Sequence, residues 1–199
     1  MQEFRLKTPI RTCTEIYKRH NTYKKYLIVD FSNRCGYCDG NDKWYGGFKS
    51  FHIDHFAPEK KFPDLKATYS NLIYACPSCN GAKSDKWPSN DPTKNIVDDK
   101  GFLNPLTDDL NSHFSRDDFG KILGISNIAN DMIVNLNLNL ERHSVLWMLS
   151  KLDELITKFE VILKSTPLEN SMKLKFEGAH YLLLKIFKNY IDKLSILNS

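Results

Sequence analysis

The chain of 199 residues is 41% hydrophobic and 26% charged, enough apolar material for one good core with a small appended module. No apolar run approaches the roughly 20 residues that span a bilayer, and the opening MQEFRLKTPIRTC lacks the apolar stretch of a signal peptide, so a soluble cytoplasmic protein is expected. The net charge of +4 is uneven: residues 1–90 carry 15 Lys and Arg against 9 Asp and Glu, and residues 91–199 carry 13 against 15. A polyanion is expected to meet the first half, the alternative being an ordinary solvated surface.

In chain order, residues 12–32 are rich in Tyr, Lys and Ile and read as a helix, with Thr12 or Thr14 as its cap. GGFKSFHIDHF reads as a strand entered through Gly46 and Gly47, because Phe48, Phe51 and Ile53 are good strand formers. A polar loop with Pro58 and Pro63 follows, then NLIYAC as a second strand and PSCNGAKSDK as a short helix with Pro77 in its first turn. Residues 88–140, with turn clusters SNDP and VDDKG, read as irregular. Two amphipathic helices finish the chain. Val145, Met148, Leu149, Leu152, Leu155, Ile156, Phe159 and Leu163 recur at helical spacing, STPLEN breaks the pattern, and Phe176, Leu183, Ile186, Phe187, Tyr190 and Leu194 resume it, predicting an antiparallel hairpin.

The five cysteines carry the strongest signal. Cys35 and Cys38 form one Cys-x-x-Cys pair and Cys76 and Cys79 a second, about 37 residues apart, which in a reducing compartment points to a closed structural zinc site. A redox role for one pair is the weaker alternative, without a thioredoxin-like context. Gly36 is expected to relieve the backbone of the first knuckle, and Cys13 to be a small buried hydrophobe.

Between the pairs lies HIDHFAPEKKF. A Cys-x-x-Cys, a strand ending in Asp54-His55 with Pro58 beyond, Asn71-Leu72, and then Cys-x-x-Cys-Asn80-x-x-Lys83 resemble the zinc-bearing branch of the HNH endonucleases. FLNPLTDD and LNLNLERHSVLW with a helical tail are similar to HNH effectors of Septu- and retron-type anti-phage systems. The resemblance implies an α+β chain. A ββα-metal core with zinc knuckles would occupy residues 34–90, between an N-terminal helical segment (1–33) and a connector with C-terminal helices (91–199). It also implies DNA as substrate, and an ATPase or another defence-system protein as partner.

Phosphodiester hydrolysis needs a base for water and a cation for the developing charge. Asp54 and His55 are adjacent on a strand end, so their side chains diverge: His55 is expected to be the general base and Asp54 a ligand of a divalent ion, Mg2+ or Mn2+. The resemblance gives Asn80 as the other oxygen ligand and Asn71 as the residue that braces the loop and orients His55, its alternative being a simple turn residue. His52, on the face of Asp54 by alternation, is a further candidate or an ordinary strand histidine. Lys83 and Lys86 are expected to hold DNA phosphates or to favour the helix dipole. His20, His113, His143 and His180 read as structural or solvated. The competing reading is a zinc-stabilised nucleic-acid-binding module without catalysis; a subunit of a larger assembly, silent until a partner such as an ATPase releases it, is a further reading compatible with nuclease chemistry.

Overall fold

The computed structural model describes residues 1–167 and 169–197; Leu168, inside the expected helix break, and Asn198 and Ser199 lie outside the described residues. The chain divides into two compact units, Met1–His143 and Ser144–Ser199. In chain order the first elements are β1 (Gln2–Glu3), α1 (Lys24–Asp30), β2 (His52–His55), β3 (Leu72–Ala75) and α2 (Pro77–Lys83). They are followed by β4 (Ile96–Val97), β5 (Lys100–Gly101), β6 (Phe114–Arg116), β7 (Ile122–Gly124) and α3 (Asn127–Asn135), and then by α4 (Glu141–Ser165) and α5 (Asn170–Ile196).

The centre of the first unit is a ββα arrangement. β2 and β3 pair antiparallel with His52 opposite Ala75, Asp54 opposite Ile73 and His55 opposite Leu72. All four residues of β3 are buried, as a strand covered on both faces must be, and they share one core with Leu27, Phe31, Phe51, Phe56 and Trp87. α2 starts where Pro77 can sit without a hydrogen-bonded N–H, and the Cys76 sulfur accepts the Cys79 N–H at its first turn.

Around this centre lies structure the sequence did not announce. The helix expected over 12–32 is confined to a 3₁₀ turn at His20–Tyr23 and to α1. Residues ahead of it instead make tertiary hydrogen bonds: Thr12 gives its N–H and hydroxyl to Asp30, and Arg11 reaches the Leu72 carbonyl at 2.5 Å. Gly46 and Gly47, at φ 93° and 84°, turn the chain, and the strand begins only at His52. Residues 88–140 are not irregular. β6 bridges β1 and β7 in a three-stranded sheet, β4 and β5 form a hairpin, and α3 is capped by the Ser126 hydroxyl, 3.3 Å from the Ala129 amide nitrogen. Residues 1–33 and 91–143 therefore fold in the same unit as 34–90, and the boundaries expected at 33/34 and 90/91 do not divide the fold.

The second unit is a helical hairpin from α4 and α5. Phe159 meets Phe176 with ring centroids 5.4 Å apart, and His180 lies 3.8 Å from Glu160. No helix among the described residues is long and apolar enough to cross a membrane.

Candidate active site and metal centre

The four paired cysteines converge. Their sulfurs all lie within 4.8 Å of one another, and all four residues are buried. Cys38 Sγ and Cys76 Sγ are 3.8 Å apart, which is the separation, about 3.8 Å, of two sulfurs bound tetrahedrally at a Zn–S distance near 2.3 Å. Hydrogen bonding from Cys35 pushes the Cys38 and Cys79 thiols well above the ordinary thiol range, whereas the Cys35 thiol, against the effect of burial, is drawn well below it by hydrogen bonds from the other three. Four closely placed thiols of this kind fit a soft or borderline dication, and the geometry suits zinc.

Gly36 is needed here for space rather than for an unusual φ. A Cβ at that position would lie 2.6 Å from Ile73 and 2.8 Å from Phe31, while its N–H reaches the Tyr74 carbonyl at 2.8 Å. Two buried arginines hold the carbonyls of the same knuckle: Arg5 donates to Gly36 at 2.5 Å, and Arg116 to Cys38 at 2.7 Å. Burial pushes the Arg116 guanidinium down to about 10, and Asp39 opposes the shift. His143 is buried too; burial works against its cationic form, but the Cys38 and Cys35 sulfurs together raise it above the ordinary histidine range. Neither arginine sits in a recognisable motif, since each acts through a carbonyl distant in sequence. Cys13, outside the cluster, is only partly buried against the core.

A second cluster lines an open cleft of about 550 Å3: His20, Asp54, His55, Glu59, Lys60 and Asn80 are on its wall. Asp54 and His55 come from the end of β2, and Asn80 from the middle of α2. Asp54 is buried, and its Oδ2 takes both the Tyr37 hydroxyl at 2.5 Å and the Lys83 ammonium at 3.4 Å, so Oδ1 is left for the cleft. Burial raises the Asp54 carboxyl, and Lys83 and Tyr37 pull it back. An aspartate oxygen and an amide oxygen on facing elements are the hard donors that suit Mg2+ or Mn2+.

His55 is held through one nitrogen. Its Nε2 lies 2.9 Å from the Lys66 carbonyl, and its Nδ1 is 3.7 Å from Glu59 Oε2. The loop that carries the Lys66 carbonyl is tied by Asn71, which accepts from Ala57 N–H at 2.8 Å and donates to the carbonyls of Ala57 at 3.0 Å and Leu65 at 3.4 Å. Asn71 is buried, outside the cleft.

Of the expectations for Lys83, Lys86 and His52, the first changes. Lys83 cannot hold a phosphate: it is wholly buried, with Nζ 2.9 Å from the His55 carbonyl and beside Asp54. Burial lowers its ammonium and Asp54 counters the shift. Lys86, although exposed, gives its ammonium to the Asn135 carbonyl at 2.9 Å. His52 is exposed and does not line the cleft; alternation keeps it on the Asp54 face, but two residues of strand rise carry it roughly 6–7 Å from that end. Conversely, His20 is part of the cleft, its ring set edge to face on His55 at 5.1 Å. Burial and then His55 lower His20 below the ordinary histidine range. No spacing rule links residues 35 positions apart, so a lone histidine gave no signal. His113, by contrast, bonds Ser126 at 2.8 Å, away from the cleft.

A buried four-cysteine clamp thus sits on a ββα centre, with an Asp-His strand end and an Asn-bearing helix on one cleft. Residues 35–86 match the HNH endonuclease family. Over 92 residues the chain is 27% identical to the Septu protein PtuB of Bacillus thuringiensis, a stretch covering 46% of this chain and 32% of that protein. The chain thus matches about a third of the length of that relative. No solved structure matches it.

Proposed function

We propose that the protein is a metal-dependent HNH endonuclease that hydrolyses DNA phosphodiester bonds in bacterial anti-phage defence, with a structural zinc at the four cysteines. The observation that carries this reading is the meeting of Asp54, His55 and Asn80 on one cleft, with His55 tethered by Nε2 alone. The likeness to a Septu protein and the HNH match support the defence setting; a partner such as an ATPase belongs to the same proposal.

A carbonyl accepts only, so Nε2 carries the proton and the Nδ1 lone pair is the base. Taking a proton from water makes an imidazolium at Nδ1, and the Glu59 carboxylate 3.7 Å away stabilises it. Glu59 is kept ionised chiefly by its hydrogen bond from Lys66. Asn71 fixes the loop and hence the rotamer of His55. A divalent ion held by Asp54 and Asn80, when bound, supplies the charge that stabilises the phosphoryl oxygens and the leaving 3′ oxygen. With Lys83 withdrawn into the core, Lys60 takes over as the cation at the cleft; its surface pair with Asp85 at 2.9 Å is weak enough to be exchanged for a phosphate.

The test is incubation of the protein, with its partner where one is required, with plasmid DNA in the presence and absence of Mg2+ or Mn2+, beside His55→Ala. Cleavage that needs the added ion and is lost in the variant is expected. Ion-independent cleavage, or a variant as fast as the parent, removes the assignment.

A further inference from the structure

α5 exposes a second apolar seam that the hairpin does not use. Its inner seam, with Phe176, Leu183, Phe187 and Tyr190, is half-buried, and Phe176 packs on Phe159 of α4. No residue of this 27-residue helix is fully buried. Leu174, Tyr181, Leu184 and Ile191 are 69%, 58%, 41% and 38% exposed. Their spacing of seven, three and seven places them in one line, the a and d positions of a heptad, with Glu177 and Lys188 completing it. This line lies about 120° around the helix from the inner seam, so a second partner helix can pack on it without displacing α4 from the first.

The line is its own complement when reversed. Leu174 and Ile191, Glu177 and Lys188, and Tyr181 and Leu184 are each symmetric about the midpoint between Leu182 and Leu183. In an antiparallel pair an a position faces a d position of the other helix. Two copies of α5 crossing at that midpoint therefore set leucine on isoleucine, tyrosine on leucine and, twice, glutamate on lysine. A parallel pair would set Glu177 on Glu177 and Lys188 on Lys188, which repel. Lys185, beside the axis, already lies over its own Tyr181 ring at 4.9 Å.

We propose that α5 is a homodimerisation helix, pairing antiparallel with α5 of a second copy of this chain through Leu174, Glu177, Tyr181, Leu184, Lys188 and Ile191, so that two hairpins close a four-helix bundle. The symmetry makes the contact isologous and closed, with each Glu177 reaching the other copy's Lys188.

Sedimentation velocity on the full chain tests this. At about 10 µM the wild type is expected to run as two 23.1 kDa chains. Glu177→Lys sets two ammonium groups against each other at both crossings, and Lys188→Glu sets two carboxylates there; each is expected to weaken the dimer by at least about tenfold with unchanged helix content. Mixing the two single variants one to one lets a heterodimer form in which one crossing pairs two introduced charges of opposite sign and the other keeps the native pair in no like-charged clash, and combining both changes in one chain restores opposite charges at both crossings. The double variant should recover the dimer fully. A monomeric wild type, single variants that dimerise normally, or failure of the double variant to recover overturns the proposal.

Discussion

The Lys83 ammonium lies 2.9 Å from the carbonyl oxygen of His55 and 3.4 Å from the carboxylate of Asp54, with no solvent exposure. One cation thus fixes the strand end from which both site residues project. Its removal strands a buried carboxylate, which typically costs about 3–5 kcal/mol. Lys83→Ala is therefore expected to lower the urea midpoint markedly. The salt dependence of DNA binding should stay as in the wild type, because no phosphate contact is lost. A stable variant with a shallower salt slope would show that Lys83 does reach the nucleic acid.

His55→Ala removes the proposed base and leaves the fold, since the ring contributes one tethering hydrogen bond and no core packing. Cleavage is expected to fall by roughly 10²–10⁴ while DNA affinity and the melting temperature hold. Single-turnover rates beside a binding titration separate these quantities.

The ring of His20 walls one side of His55 and is held towards its neutral form by burial and by His55. Its use is then the ring face, which confines the imidazole beneath it. His20→Ala should slow cleavage by about tenfold through misplacement of His55, and His20→Phe should keep most of the rate. If Phe proves as slow as Ala, a ring nitrogen of His20 takes part in the reaction.

Zinc should be found at about one ion per chain, retained through dialysis. Binding at such sites is worth about 10–16 kcal/mol, against a domain stability of roughly 5–15 kcal/mol, so stripping the ion or making Cys79→Ser should unfold the Met1–His143 unit. Far-UV circular dichroism with metal analysis reads both. A folded, metal-free Cys79→Ser protein contradicts it.

The cysteine pairs, the ββα centre and the terminal helices are legible in the sequence because each has a local signature: fixed ligand spacing, a strand-turn-strand pattern, a 3.6-residue period. The β1–β6–β7 sheet is not, since strands of two or three residues leave no period to read. Lys83 is open to misreading for a related reason. A lysine in the last turn of a short helix such as α2 looks the same in sequence whether it meets a phosphate or an internal carboxylate, and only the fold brings Asp54 to it. The helix expected from Thr12 fails because the Asp30 carboxylate offers the Thr12 hydroxyl a better partner than a helix end.

The hydrogen bond from Arg116 to the Cys38 carbonyl also sets an order of events at the ribosome. All four sulfurs emerge by residue 79, but the guanidinium that secures the first knuckle lies 78 residues beyond Cys38. At elongation speeds of about 5–20 residues per second, the 37 residues from Cys79 to Arg116 take about 2–7 s. During that time the four thiols are available without the Arg116 clamp, so a metal captured then is bound before the loop is locked. The HNH-like stretch, residues 35–86, is in this sense finished by a residue synthesised after it.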